Sequence, residues 1–264
     1  MLDTRSVKFA RIGGCPVERT LSSRRAFVRT LALTSAGLVG TAALGRLGAT
    51  ASYAQESTAP SPDRALQLLL EGNARFVSGA TLGPHRGLDR RAEVASAQSP
   101  YATILSCADS RVPPELVFDA GLGDLFVLRV AGNVLNDELL GSIEYGAGAL
   151  RVPLIMVLGH ERCGAVDAAA QAVTQGAQFD GPIASLVHAI VPAVESVRGM
   201  SGNFLDNAIR ANVALVVGQL VGRSPLLAEL ASQGQIKIVG GYYSLQSGQV
   251  GVMDPLAGAP GPGR

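Results

Sequence analysis

Two hydrophobic periods alternate along the chain. Short, nearly continuous apolar runs at Ala102–Ser106, Leu125–Val130, Leu154–Leu158 and Ile236–Val239 predict buried strands. Between them, apolar residues fall at helical spacing. Leu139, Leu140, Ile143, Ala147 and Leu150 follow the capping candidates Asn136 and Asp137, and Ile209, Val213, Val216, Val217 and Leu220 line one side of a segment from Asp206 to about Val221. A further helix over Ile183–Val197 contains Pro192, which is expected to kink or split it. Ahead of the first strand, Asp63 is expected to cap a helix reaching about Phe76. Its narrow apolar face (Leu66, Leu69, Leu70) predicts packing on a partner subunit, and Thr81–Ala95 should be irregular and then helical. Tyr242–Val250, with a turn at Gln246–Gln249, predicts an antiparallel edge. Strands alternating with helices give an α/β fold with a mainly parallel central sheet flanked by helices. Such sheets bind ligands beyond the carboxyl ends of their strands.

The first 54 residues follow a different rule. Ser23-Arg24-Arg25-Ala26-Phe27 precedes a run of about fifteen small and apolar residues, Thr30–Leu44, and Ala49-Thr50-Ala51 and Ser52-Tyr53-Ala54 offer small-x-small cleavage sites. This layout is a secretory signal and resembles the twin-arginine type. A membrane anchor is the competing reading, but the run is short for a span and is broken by Arg46. The expectation is cleavage after Ala54, export to the periplasm and no stable membrane anchor afterwards. Residues 55–264 then form one domain, with a Pro/Ser-rich linker at its start and a disordered Gly/Pro-rich tail from about 257. Residues 1–54 carry eight Lys or Arg and two acids, which leaves 14 basic and 19 acidic residues, a net of −5, for the remainder. That mildly acidic body offers no footprint for nucleic acid.

Of three cysteines, Cys15 lies in the signal, leaving Cys107 and Cys163. Two cysteines allow one structural disulfide at most. Their neighbours point elsewhere. Cys107-Ala108-Asp109-Ser110-Arg111 follows one strand, and His160-Glu161-Arg162-Cys163 follows another. Sulfur, nitrogen and sulfur donors suit zinc, and three protein ligands leave a fourth position for water, as in catalytic sites. Asp109 either becomes a fourth ligand or is held by Arg111 in a bidentate pair beside the metal. Two thiolates neutralise the zinc charge, so activity is expected to rise through a more alkaline transition than the ~7 of a three-histidine site.

Cys107-x-Asp109-x-Arg111 with His160-x-x-Cys163-Gly164 resembles the β-class carbonic anhydrases. So do Leu70-Glu71-Gly72-Asn73-x-Arg75-Phe76, Gln98-Ser99-Pro100, Gly132-Asn133, Ser142-Ile143-Glu144-Tyr145 and Gly240-Gly241-Tyr242-Tyr243, so that the resemblance runs from about Leu66 to Asp254. It implies one zinc per subunit on Cys107, His160 and Cys163, with Asp109 and Arg111 as a gating dyad in which Asp109 can ligate zinc in a closed form. It implies that Gln98 binds a substrate oxygen, that Phe126, Ala131 and Tyr145 line the CO2 pocket partly across a dimer interface, and that the Gly164 N–H faces bicarbonate. The implied activity is reversible hydration of CO2 to bicarbonate and a proton by attack of zinc-bound hydroxide, in a homodimer or tetramer. Some members have an inhibitory bicarbonate site built on a Trp and a Gly. Ile104 and Ser106 stand at those positions here, so that site is expected to be absent. His85 and His188 are weak candidates for proton transfer. Two alternatives share the ligands: a hydrolase of carbonyl sulfide or carbon disulfide, and a zinc-binding domain without catalysis.

Overall fold

Alternate residues of each central strand enter opposite cores, and this fixes the sheet. The computed structural model describes residues 59–253; the expected signal, linker residues 55–58 and the tail from about 257 lie outside the described residues. The strands are β1 (Ala102–Ser106), β2 (Leu125–Arg129), β3 (Leu154–His160), β4 (Lys237–Tyr243) and β5 (Val250–Met253). Their order is β2-β1-β3-β4-β5, parallel except for β5, which runs antiparallel to β4. The helices are α1 (Pro62–Val77), α2 (Leu88–Glu93), α3 (Pro114–Val117), α4 (Asp137–Gly148), α5 (Gly164–Gln175), α6 (Pro182–Ser196), α7 (Phe204–Arg223) and α8 (Pro225–Ser232), with a 3-10 turn at Ala131–Asn133.

Both central strands, β1 and β3, are buried throughout. Leu105, Ile155 and Val157 pack with Ile143 of α4, Val213 and Leu220 of α7 and Leu227 of α8. Ile104, Leu154, Met156 and Leu158 face the other way, onto Ala65 and Leu69 of α1 and onto Val117 and Phe118. Each such side chain, fully removed from water, contributes about 1.5–3 kcal/mol before the entropy of ordering it.

α1 differs from the sequence expectation in two respects. Its cap is Ser61, whose hydroxyl accepts the Arg64 N–H, with Pro62 in the first turn. Its narrow face packs within its own domain, through Ala65, Leu66 and Leu69. Asn73 donates to the carbonyls of Val117 and Gly248 and accepts the Val250 N–H, tying the helix to the edge strand. A Cβ at Gly72 would lie 1.9 Å from the Phe118 carbonyl oxygen, so this approach requires glycine. The face is narrow because the helix comes so close.

α6 is one continuous helix through Pro192, which neither splits it nor lies in the core. The proline sits on the exposed side, where water can satisfy the carbonyl it strips of a partner, while Val187, Ile190 and Val194 anchor both halves. β4 extends four residues beyond the apolar run that announced it, to Tyr243, and pairs with β5 as the expected antiparallel edge.

At the turn after α3, buried Asp119 accepts from Arg75 Nε at 2.7 Å and from the amides of Leu82 and Gly83 at 2.9 Å. Burial opposes its ionisation, but Arg75 and the two amides outweigh it and hold the carboxyl below the usual range. Its contribution is therefore complete above the unfolded value of about 4 and is lost as pH falls through the lower folded value. Asp119→Asn is expected to cost about 2 kcal/mol at pH 7. The urea midpoint of the variant should approach that of the parent only in acid.

Candidate metal centre

The register of the central strands brings two chain segments to one edge. Ser106 of β1 pairs with Leu158 of β3 and with Arg129 of β2, so Cys107, which follows β1, emerges beside the end of β3. β3 finishes on His160. Glu161 and Arg162 make a tight turn, with Arg162 in the left-handed region at φ 53°, and Cys163 then caps α5. The ligand atoms of Cys107, His160 and Cys163 all lie within 4.8 Å of one another, and all three residues are buried. The two sulfurs are 4.0 Å apart and both cysteines are free, against about 2.05 Å for a disulfide, so the single-disulfide alternative is set aside.

The donor atoms and their hydrogen bonds suit a metal ion. His160 Nδ1 lies 2.9 Å from the Glu161 carbonyl oxygen and donates to it, which leaves Nε2 as the acceptor nitrogen. Nε2 is buried and has no hydrogen-bond partner among the described residues. The Cys163 thiol hydrogen bond draws the Cys107 thiol well below its ordinary value against the effect of burial, and His160 and the Gly132 amide add to this. The Cys163 thiol is driven the other way, first by that same hydrogen bond and then by burial. Burial lowers His160, yet the Cys107 sulfur beside it outweighs burial and raises the imidazole. A divalent cation would displace the proton shared between the sulfurs and take up the free Nε2 lone pair. Two sulfurs, one imidazole nitrogen and a dry surround fit zinc.

Asp109 and Arg111 stand at the rim. Arg111 Nε and Nη2 reach the two carboxylate oxygens at 2.9 and 2.7 Å, and the Arg111 N–H adds a third bond at 2.9 Å. These bonds, Arg111 first, hold the Asp109 carboxyl well below the usual carboxylate range. Its Oδ2 remains 3.9 Å from His160 Nε2, so the carboxylate borders the triad while engaged with arginine.

The other expected site residues are dispersed. Phe126 of β2 and Tyr145 of α4 face each other with ring centroids 6.2 Å apart, and Tyr145 is 52% exposed in the single chain. Ala131 opens the 3-10 turn beside Cys107, and Gly164 begins α5, where its N–H is one of the free donors of a helix start. Gln98 is exposed ahead of β1 and makes no hydrogen bond to the triad. His85 pairs through Nδ1 with Asp124 at 2.7 Å, at the amino end of β2, which is the wrong end of the sheet for proton transfer at the triad. His188 is exposed on α6.

Two contacts had no counterpart in the sequence reading. Arg129 of β2 donates to the carbonyls of Cys107 and Asp109, clamping the loop that bears both. The Gly132 N–H lies 3.3 Å from Cys107 Sγ. The Gly132-Asn133 motif marked the place but not the bond.

A family model described as carbonic anhydrase matches residues 102–250. The carbonic anhydrase of Mycolicibacterium smegmatis is 42% identical over 189 residues, covering 72% of this chain and 92% of that protein. The chain belongs to the β-class carbonic anhydrases. Carbonic anhydrase 2 of Mycobacterium tuberculosis is likewise 42% identical, over 74% of this chain and 94% of its own length. The family's fold is seen in the β-carbonic anhydrase of Aspergillus fumigatus (TM-score 0.57, 23% identity, 75% of this chain and 92% of that one). It is also seen in two tetrameric β-carbonic anhydrases of Sordaria macrospora (TM-score 0.56, 20% identity, 73% of this chain and 98% of that one). The chain is thus a carbonic anhydrase acting on CO2 and bicarbonate, and Cys107, His160 and Cys163 form the family's zinc site.

Proposed function

We propose that Asp109 and Arg111 run the proton side of CO2 hydration at this site, and that the chain is exported before it acts. The observation that carries the first part is the bidentate Asp109–Arg111 pair bordering three buried ligand atoms. Zinc, when bound there, would supply a Lewis acid that lowers the pKa of a water and makes it nucleophilic. Asp109, with its carboxylate ionised and fixed by Arg111, would accept a hydrogen bond from the reacting water and orient it towards CO2. Arg111 keeps Asp109 from turning to the metal and closing the site. Phe126, Ala131 and Tyr145 form the apolar side of the CO2 pocket. Gln98 donates a hydrogen bond to a substrate oxygen, and the Gly164 N–H faces bicarbonate. The half-exposed edge strand β2 and Tyr145 support a homodimer, or a tetramer of such dimers.

The same ligands on another pocket would hydrolyse carbonyl sulfide. Assaying CO2 hydration and sulfide release on one preparation separates the two. CO2 hydration is expected to dominate, and preferential sulfide release would reverse the assignment.

Export rests on Arg24-Arg25 before Thr30–Leu44 and on the site's two thiolates. A route that carries folded protein delivers them already bound to zinc, protected from oxidation outside the cytoplasm. Changing both Arg24 and Arg25 to lysine is expected to retain the chain in the cytoplasm at full length. Unchanged periplasmic accumulation of a chain beginning near Gln55 would contradict the twin-arginine reading.

A further inference from the structure

Asn212 is out of place by composition. It lies in the buried face of α7 between Ile209 and Val213, is 1% exposed, and any aliphatic side chain would suit its neighbours better. Its Nδ2 donates to the Gly132 carbonyl at 2.9 Å, while its Oδ1 is buried with no partner among the described residues. Because a carbonyl oxygen must face a donor, the orientation of the amide is settled by chemistry. The chain thus keeps a costly half-satisfied amide for one hydrogen bond.

That bond lies one peptide unit from the metal centre. Gly132 occupies the left-handed region at φ 71°, and a Cβ there would meet Ile190 Cδ1 at 2.6 Å and Ala165 Cβ at 3.0 Å. The 3-10 turn is therefore shaped so that the Gly132 N–H points at Cys107 Sγ, 3.3 Å away. Asn212 anchors the carbonyl side of the same residue.

We propose that Asn212 is a positioning residue for the reaction: it locks Gly132 so that its N–H donates to the Cys107 sulfur and draws charge off that thiolate. A ligand pair of two thiolates gives so much charge to zinc that the bound water is less acidified. An N–H···S bond returns part of that acidity, as partners of metal ligands commonly do. The inference rests on Cys107 being a zinc ligand, and the test separates the two.

The full chain is loaded with cadmium-113 and examined by NMR. Scalar coupling from cadmium to the Cys107 β-protons reports ligation, and coupling to the Gly132 amide proton reports the N–H···S bond. Coupling to both is expected. Coupling to the β-protons alone overturns the inference, and coupling to neither overturns the ligand assignment as well. In cobalt-loaded protein, Asn212→Leu and Asn212→Asp are expected to move the thiolate-to-cobalt charge-transfer band to longer wavelength and to weaken zinc affinity roughly 10- to 100-fold. A merely structural asparagine would lower the melting temperature and leave the band in place, which refutes the proposal. If neither variant folds, coupling across the hydrogen bond from Asn212 Nδ2 to the Gly132 carbonyl carbon in the parent decides; its absence refutes the role of Asn212.

Discussion

Cys107→Ser should empty the metal site and abolish CO2 hydration. Serine is nearly isosteric, but its hydroxyl is a far poorer zinc ligand than a thiolate and does not ionise near neutral pH. The loss should exceed the roughly 10- to 100-fold that follows when an outer partner of a ligand is removed. Zinc content after dialysis and the initial rate of CO2 hydration should fall together. The fold should survive, because serine nearly fills the place of Cys107 in its buried cluster and the strand before it is held by Ile104, Leu105 and their partners. A Cys107→Ser protein that retains zinc and turnover would remove this residue from the site.

Asp109→Asn should separate binding from catalysis. The variant is expected to keep its zinc, since Asp109 is engaged by Arg111 and is not one of the clustered ligands. Its rate should fall roughly 100-fold, the low end of what a positioned acid–base group contributes. Asparagine has one accepting oxygen and an NH2 that only donates, so the bidentate pair is lost and the reacting water is no longer oriented. The carboxyl of Asp109 lies well below the neutral range, so its own titration does not shape the activity profile between neutral and alkaline pH. Arg111→Ala should be worse at lower pH, because an Asp109 freed from arginine can reach the metal from its place 3.9 Å from His160 Nε2. An Asp109→Asn enzyme with undiminished turnover would remove Asp109 from the reaction.

The residues that carry the chemistry could be read from the sequence because their types are rare and their spacing is tied to strand ends. Cys107 follows an apolar run of five residues, and His160 and Cys163 close another. What was not legible depends on contacts between distant segments. α5 went unannounced because Gly164–Gln175 is rich in alanine, so its buried face, Val166, Ala169 and Ala170, carries few of the large apolar side chains that mark a helical stripe. β4 looked shorter than it is because Gly240-Gly241 reads as a turn. In the fold a Cβ at Gly240 would come 2.8 Å from Val213 Cγ1, so glycine there admits α7 close to the strand. The narrow face of α1 suggested a partner subunit, and only the tertiary structure shows Asn73 fastening it to the edge strand. Arg129 and Asn212 act through backbone carbonyls, a role that leaves no pattern along the chain.

Titrating zinc into metal-free protein while recording CO2 hydration by stopped flow tests the central claim most directly. Activity should rise in proportion to bound metal and level off at one zinc per chain, with the rate increasing towards alkaline pH. One tightly bound zinc per chain with no CO2 hydration at any pH would contradict it.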